Sequence, residues 1–285
     1  MTELVRKPAE LRRACQDARG RSARVGLVPT MGALHEGHFS LMDEARKHAD
    51  FLVVTIFVNP LQFAEGEDLE RYPRTLESDL AGCQERHVDL VFAPETGSMY
   101  PDGFQTGVSV AELSQPLEGE FRPAHFDGVT TVVAKLFNLT GPCTAVFGRK
   151  DFQQWRVLSR MVRDLDMPVE VVGCPIIREP DGLALSSRNR YLSPSERERA
   201  LGIVSGLRAA HDAWQDGERD VDRLLSLAEE PVRAGFEGVD YVAAVDPETL
   251  LPPLGPALRL LIAVAACLGT TRLIVNVVLG EDPRP

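Results

Sequence analysis

Val25-Gly26-Leu27-Val28-Pro29-Thr30-Met31-Gly32-Ala33-Leu34-His35-Glu36-Gly37-His38 runs from an apolar segment through a glycine turn into a helical pattern, and its reading decides the fold. Val25 to Val28 has the composition of a buried strand, and Phe39 to His48 repeats apolar residues at helical spacing. A strand that ends in a Gly-containing turn opening a helix offers backbone N–H groups to an anion. His35 and His38 stand three residues apart, so on the first turn of that helix they share a face and both can donate to a phosphate. A zinc protease helix is a different pattern: H-E-x-x-H sets its histidines four apart and needs a third ligand elsewhere. Two ordinary solvent-facing histidines at a helix start are the plainer alternative.

Outward from this stretch the same alternation continues. Short β-branched runs recur at Phe51 to Val58, Val88 to Phe92, Thr144 to Phe147 and Val169 to Val172, with helical patterns at Thr75 to Arg86 and Val129 to Leu139. Strands alternating with helices predict an α/β fold, a Rossmann-like doubly wound parallel sheet with helices on both faces. Ligands of such sheets bind at the carboxyl ends of the strands. Asp151 with Gln154 reads as a capping box, followed by Trp155, Leu158, Val162 and Leu165 at helical spacing until Met167-Pro168. Ser193-Pro194-Ser195-Glu196 is a sharper start, predicting a helix to about Gln215.

Beyond Gly173-Cys174-Pro175 the pattern changes. That helix, a second near Val221 to Ala234, and apolar runs Val239 to Val245, Leu258 to Ala266 and Arg272 to Val278 predict a smaller, mixed α+β domain. The expected division is a Rossmann-like nucleotide-binding domain over 1–175 and a C-terminal domain over 176–285.

Composition narrows the function classes. The chain has 285 residues, 44% hydrophobic and 26% charged, as expected of a globular protein with a sizeable core. No apolar stretch reaches the ~20 residues of a membrane span, and charges break Met1 to Gly20 too often for a secretory signal. A cytoplasmic protein without a membrane partner is expected. Cys15, Cys83, Cys143, Cys174 and Cys267 show no C-x-x-C spacing and are odd in number, as reduced thiols would be. A net charge of −11 speaks against a broad nucleic-acid footprint and requires that an anionic ligand be met by a locally basic pocket.

Four further segments can carry chemistry. Asn59 and Gln62 lie just past the second strand, where amides either cap a turn or hydrogen-bond a small hydroxylated ligand. Glu77 and Asp79 lie in the first turn of a helix, where acids compensate the dipole or approach a cation. Gly148-Arg149-Lys150-Asp151 is not a P-loop, yet it sets Lys150 beside a helix N-terminus, a concentrated positive site. Ser186-Ser187-Arg188-Asn189 is a polar turn or a clamp of hydroxyls and a planar guanidinium for a triphosphate.

These segments, with Arg122 and His125-Phe126-Asp127-Gly128-Val129, resemble the pantoate–β-alanine ligase family within the H-x-G-H adenylyl-transferring superfamily, over most of residues 25 to 195. The resemblance implies an ATP-dependent, AMP-forming ligase that joins pantoate to β-alanine through pantoyl adenylate. It implies that the first domain binds nucleotide and pantoate, that the second carries the phosphate-clamping loop, and that the chain forms a homodimer. Catalytic roles are then expected for His35, His38, Lys150, Ser186, Ser187 and Arg188. ATP contacts are expected from Met31, His38, Gly148, Lys150, Asp151, Ile177, Leu185, Ser186, Ser187 and Arg188, and substrate contacts from Pro29, Met31, Asn59, Gln62 and Gln154. Magnesium is implied near the acidic run; this chain has Ser78 where relatives carry an acid, which leaves Asp79 as the expected ligand, with Glu77 as its substitute. It also has Val275 where relatives commonly carry aspartate. A nucleotidylyltransferase of the same superfamily and a non-catalytic nucleotide-binding regulator are the alternatives.

Overall fold

Successive residues of a strand face opposite sides of its sheet, so a strand that is apolar throughout must be covered on both faces. Val25–Thr30 and Phe51–Ile56 are such strands. In a computed structural model, which describes residues 2–64, 66–255 and 257–285, contacts divide the chain into two units. The first comprises Met1–Ser114, Arg122–Arg149 and Gln154–Cys174.

Six parallel strands form the sheet of the first unit: β1 (Glu3–Val5), β2 (Val25–Thr30), β3 (Phe51–Ile56), β4 (Leu90–Phe92), β5 (Cys143–Gly148) and β6 (Val169–Cys174), in the order β1-β4-β3-β2-β5-β6. The helices that precede β6 in the chain are α1 (Pro8–Gly20), α2 (Glu36–His48), α3 (Leu76–Glu85), the short α4 (Thr96–Met99) and α5 (Glu118–Phe121), α6 (His125–Thr140) and α7 (Phe152–Asp164). Leu27, Val53, Ala145 and Phe147 point to the face covered by Leu11 and Cys15 of α1, Val132 and Val133 of α6, and Leu158 of α7. Their neighbours Val28, Val54 and Val146 point to the other face, against Leu41 and Met42 of α2 and Cys83 of α3. The doubly wound parallel sheet expected from the alternation is therefore present.

Some boundaries differ for local reasons. The strand expected from Val88 starts at Leu90, because His87 takes a left-handed φ of 54° and Val88 N–H closes the end of α3 on Cys83 O at 2.9 Å. β3 stops at Ile56, short of Val58, as the chain approaches the Asn59-Pro60 turn. α7 is entered through a 3-10 turn, Arg149–Asp151, rather than through a capping box at Asp151. The strand β1 and helix α1 lie in a segment read above only for its charge. A helix signal is present there: Pro8 in the first turn, and Glu10 accepting from Lys7 N at 3.0 Å.

The second unit comprises Gln115–Phe121, Lys150–Gln153 and Pro175–Pro285. Its antiparallel sheet has the order β7 (Gly238–Val245), β8 (Leu260–Leu268), β9 (Thr271–Leu279), and it packs with α8 (Pro194–Gln215) and α9 (Val221–Gly235). The capping box at Ser193 forms as expected: its hydroxyl accepts from Glu196 N at 3.3 Å, and Glu196 accepts from Ser193 N at 2.8 Å. Gly202 and Gly206 let α8 lie against the backbone of α9, since a Cβ at either would collide with the Pro231 or Ala228 carbonyl.

An ion cluster joins α5 to this sheet. Arg272 of β9 makes a bidentate pair with Glu118 at 2.7 and 2.8 Å, and its Nε donates to Asp240 at 2.7 Å. Tyr241 OH donates to Glu118 at 2.7 Å. Burial alone would lower the Arg272 pKa; the two carboxylates outweigh it and keep the guanidinium charged. Removing one partner of a buried pair leaves an uncompensated charge, worth about 3–5 kcal/mol. Arg272→Leu is accordingly expected to lower the urea midpoint of the second unit sharply, and adding Glu118→Gln to recover part of the loss. An unchanged midpoint in Arg272→Leu would show that the cluster contributes nothing to stability.

Candidate active site

Strand order places the ends of β2 and β5 side by side, Gly26 pairing with Thr144 and Leu27 with Ala145. From β2 the chain runs outward to β3 and β4, and from β5 to β6 on the other side. This reversal is the topological switch point at which doubly wound sheets bind ligands. The histidine turn follows β2, and Gly148 ends β5.

The turn after β2 is tightly built. Thr30 Oγ1 accepts from Gly32 N at 3.2 Å and donates to Thr55 O at 2.7 Å. Gly32 and Ala33 have φ of 86° and 51°, the left-handed region that favours glycine. The next two N–H groups, of Ala33 and Leu34, donate to the Asp79 carboxylate at 3.0 and 2.9 Å. The expectation that these backbone groups await an anion is thereby corrected, since a buried side chain occupies them.

His35 also differs from expectation. It is not in the first turn of α2 but is the N-cap, with φ −146° and its Nδ1 accepting from Gly37 N at 3.1 Å. A ring nitrogen that accepts is bare, so the proton of the neutral ring sits on Nε2. His38, in α2, brings its ring centroid to 4.2 Å from that of His35. The histidine pair thus assembles beside a turn whose Ala33 and Leu34 amides are already engaged.

A second group forms past β3. Asn59, 1% exposed, donates to Gln62 Oε1 and to Gly128 O, both at 3.1 Å, while its Oδ1 accepts from Tyr100 OH at 2.8 Å and from Leu61 N at 3.3 Å. Asn59 thus has its donors and acceptor engaged inside the protein and orients Gln62. Gln62 Nε2 faces Met31 Sδ at 3.0 Å, a weak acceptor that a better one can replace. Gly128 of α6 permits this packing, because a Cβ there would overlap the Leu61 carbonyl.

The backbone of Gln62 is pinned as well. Its carbonyl accepts from His125 Nδ1 at 2.8 Å and from Arg122 at 3.2 Å, and Glu67 grips Arg122 at 2.6 and 2.8 Å. Burial pushes the Glu67 carboxyl up, and Arg122 more than offsets that, holding it below the usual range. Tyr100 and Glu67 were not legible in the sequence as part of this group; no motif links Tyr100 to an asparagine 41 residues away.

In the second unit, Lys150 lies in the 3-10 turn with Nζ at 3.7 Å from Asp151, and Asn276 Nδ2 donates to its carbonyl at 2.8 Å. Gln153 is buried, bonding Glu118 N and Pro116 O at 3.0 and 2.6 Å; Gln154, which belongs to the first unit, is half-buried. Ser186 caps a 3-10 turn, Ser187–Tyr191, accepting from Arg188 N at 3.3 Å. Ile177 O accepts from Leu185 N at 2.9 Å, and Asn189 ties the turn to Glu179 at 2.7 Å, which Arg197 holds at 2.6 Å. Val275 is 4% exposed in the core of this unit, where an aliphatic side chain fits and an unpaired aspartate would not.

The Asp79 carboxylate does not fit a resident magnesium ion. Both Asp79 oxygens are hydrogen-bonded and the residue is 2% exposed. Among the described residues no group of three or more His, Cys, Asp or Glu is placed to hold a metal ion. Nor, among them, is any helix long and apolar enough to cross a membrane.

A Rossmann-like α/β sheet with paired imidazoles at its switch point defines the class, and similarity to known proteins narrows it. A family model for pantoate–β-alanine ligase matches residues 3–278. The chain is 51% identical over 288 residues to pantothenate synthetase 1 of Bradyrhizobium diazoefficiens, covering 99% of each, and 51% identical over 284 residues to pantothenate synthetase of Geobacter sulfurreducens. A crystal structure of the pantothenate synthetase from Thermus thermophilus superposes with a TM-score of 0.92 at 50% identity, covering 97% of this chain and 99% of that one. Another, of pantoate–β-alanine ligase from Francisella tularensis complexed with beta-gamma ATP and β-alanine, gives a TM-score of 0.82 at 30% identity with both chains fully covered. The chain belongs to the pantoate–β-alanine ligase family.

The His35 cap carries its own test. In nitrogen-15 spectra of the histidine side chains at neutral pH, His35 is expected to show an unprotonated Nδ1 and a protonated Nε2. A protonated Nδ1 in the neutral ring would rule out the cap as described.

Proposed function

We propose that the chain condenses pantoate with β-alanine, driven by ATP, through pantoyl adenylate, releasing pyrophosphate and then AMP. The observation that carries this reading is the imidazole pair at the end of β2, the strand paired with β5, in a chain of about 50% identity to pantothenate synthetases over nearly its whole length. The Francisella relative, described as holding an ATP compound and β-alanine, supports ATP and β-alanine as the ligands.

Chemically, a carboxylate is a poor acylating agent. In the first step a pantoate carboxylate oxygen attacks the α-phosphorus of ATP; a new P–O bond forms and the bond to pyrophosphate breaks. Two anions meet, so catalysis rests on positioning and on donors aimed at the developing charge. His35 Nε2–H, His38 and Lys150 serve that charge, and Ser186, Ser187 and Arg188 hold the outer phosphates. Met31, Gly148, Asp151, Ile177 and Leu185 are assigned to the nucleotide. Gln62 and Gln154 grip pantoate, with Pro29 and Met31 against its methyl groups and Asn59 fixing the Gln62 amide. In the second step the unprotonated β-alanine amine attacks the acyl carbon, the C–O bond to AMP breaks, and the nitrogen loses a proton. Magnesium arrives as the counter-ion of ATP. The reading extends to domains over 1–175 and 176–285 and to a cytoplasmic homodimer.

Supplying ATP, magnesium, pantoate and β-alanine is expected to yield pantothenate, pyrophosphate and AMP. ADP as product would defeat the reading; an adenylated product without free AMP would indicate a nucleotidylyltransferase, and no turnover a regulator. His38→Ala is expected to slow pyrophosphate release about 10²–10³-fold, as deleting one preorganised donor does. Lys150→Ala should impair that step yet spare the reaction of pre-formed pantoyl adenylate with β-alanine; equal impairment of both steps would remove Lys150 from adenylation.

Tyr100→Phe removes a donor to Asn59 and loosens Gln62. It is expected to raise the pantoate KM several-fold, on the order of a lost neutral hydrogen bond, about 1 kcal/mol, with the ATP KM unchanged. An equal rise in both constants would show that Tyr100 supports the fold rather than the pantoate subsite.

A further inference from the structure

We propose that Asp79 is a positioning residue for the histidine pair, acting through the turn between β2 and α2, and that it does not bind magnesium. Asp79 belongs to α3, yet its carboxylate accepts from two consecutive backbone groups of that turn, Ala33 N–H at 3.0 Å and Leu34 N–H at 2.9 Å. Thr75 Oγ1 lies at 3.2 Å from both carboxylate oxygens. Gly32 allows the turn to close this tightly: a Cβ there would stand 3.0 Å from Asp79 Oδ2 and 3.0 Å from Ile56 Cγ2.

Consecutive N–H groups in a left-handed turn form a concavity that binds anions. Here the anion is internal. The carboxylate offsets the strain of Ala33, a non-glycine residue at φ 51°, and fixes the direction in which the chain leaves the turn. The next residue is His35, which caps α2 with Nδ1 and so carries its neutral-ring proton on Nε2, and His38 follows on the same helix. The phosphate-binding duty therefore passes from the backbone to two imidazoles whose placement depends on Asp79.

Magnesium binding asks for something else. The ion demands near-octahedral oxygens at about 2.0–2.1 Å and keeps several waters. A carboxylate 2% exposed, with a backbone donor on each oxygen, offers neither the space nor the orientation. Binding would first have to break those bonds, and each buried N–H left unpaired costs about 1–3 kcal/mol.

The activity arm of the test rests on the ligase reading above; the spectroscopic arms do not. In Asp79→Asn one acceptor oxygen becomes an NH2 group facing an N–H donor, and in Asp79→Glu the carboxylate is kept but displaced by a methylene. A positioning role predicts that both variants lose up to about 10²-fold in pyrophosphate release, with half-saturating magnesium within about twofold of wild type. It also predicts shifted His35 side-chain nitrogen resonances in both variants. Manganese titrated into the ATP-free protein, followed by electron paramagnetic resonance, should find no site that Asp79→Asn abolishes.

Should Asp79→Asn fail to fold, Thr75→Val retains the carboxylate and removes one donor; a smaller fall in rate with unchanged magnesium dependence is then expected. The proposal is overturned if excess magnesium restores the Asp79→Asn rate, if Asp79→Glu keeps full activity, if a manganese site disappears with the carboxylate, or if the His35 resonances stay unmoved. Wild-type protein that releases no pyrophosphate from ATP and pantoate would sink the ligase reading instead, leaving the resonances and the manganese titration to judge Asp79.

Discussion

The pairing of β2 with both β3 and β5 is the constraint on which the rest of the first unit depends. A central parallel strand has no free edge, and its residues must be apolar toward both faces, as Leu27 and Val28 are. Because the chain leaves β2 in one direction and returns through β5 on the other side, two connections diverge at one edge and leave a crevice there. One begins with the histidine turn and the other with Gly148. The large helix α6 then does two jobs from one length of chain. Val132 and Val133 cover the sheet, while Gly128 receives the backbone that carries Gln62.

Electrostatics explain how a chain with a net charge of −11 can serve anions. Several of its acids are matched locally: Arg24 with Asp50, Arg197 with Glu179 and Asp181, and, at the buried cluster, Arg272 with Glu118 and Asp240. Within the first unit the buried acid nearest the histidine turn is neutralised by backbone N–H groups rather than by a basic side chain. A peptide N–H orients His35, and His38 follows on the same helix.

Much of the architecture was legible because it rests on local rules. The period of two in Leu27-Val28, Val53-Val54 and Ala145-Val146 is a direct record of a sheet covered on both faces, and the box Ser193-Glu196 marks a helix start through a reciprocal hydrogen bond three residues long. The same locality explains the misses. Asp151 satisfies the capping pattern in one dimension, but the chain is already wound into a 3-10 turn when it arrives there. The internal partners of Asn59, Tyr100 and Gly128, escaped notice because they lie 41 and 69 residues away.

By itself, then, the sequence determined the parallel sheet, a smaller mixed second region and the helix start at Ser193, all of which follow from periodicity and capping within a few positions. Tertiary structure alone decided which polar groups remain for a ligand. Hydrogen-bond capacity is finite, and a group's partner can come from anywhere in the chain. Asp79 commits its acceptors to a turn 45 residues before it, and the Lys150 carbonyl is taken by an asparagine 126 residues after it. Such long-range pairings fix a side chain's orientation and availability, and no pattern of neighbouring residues encodes them.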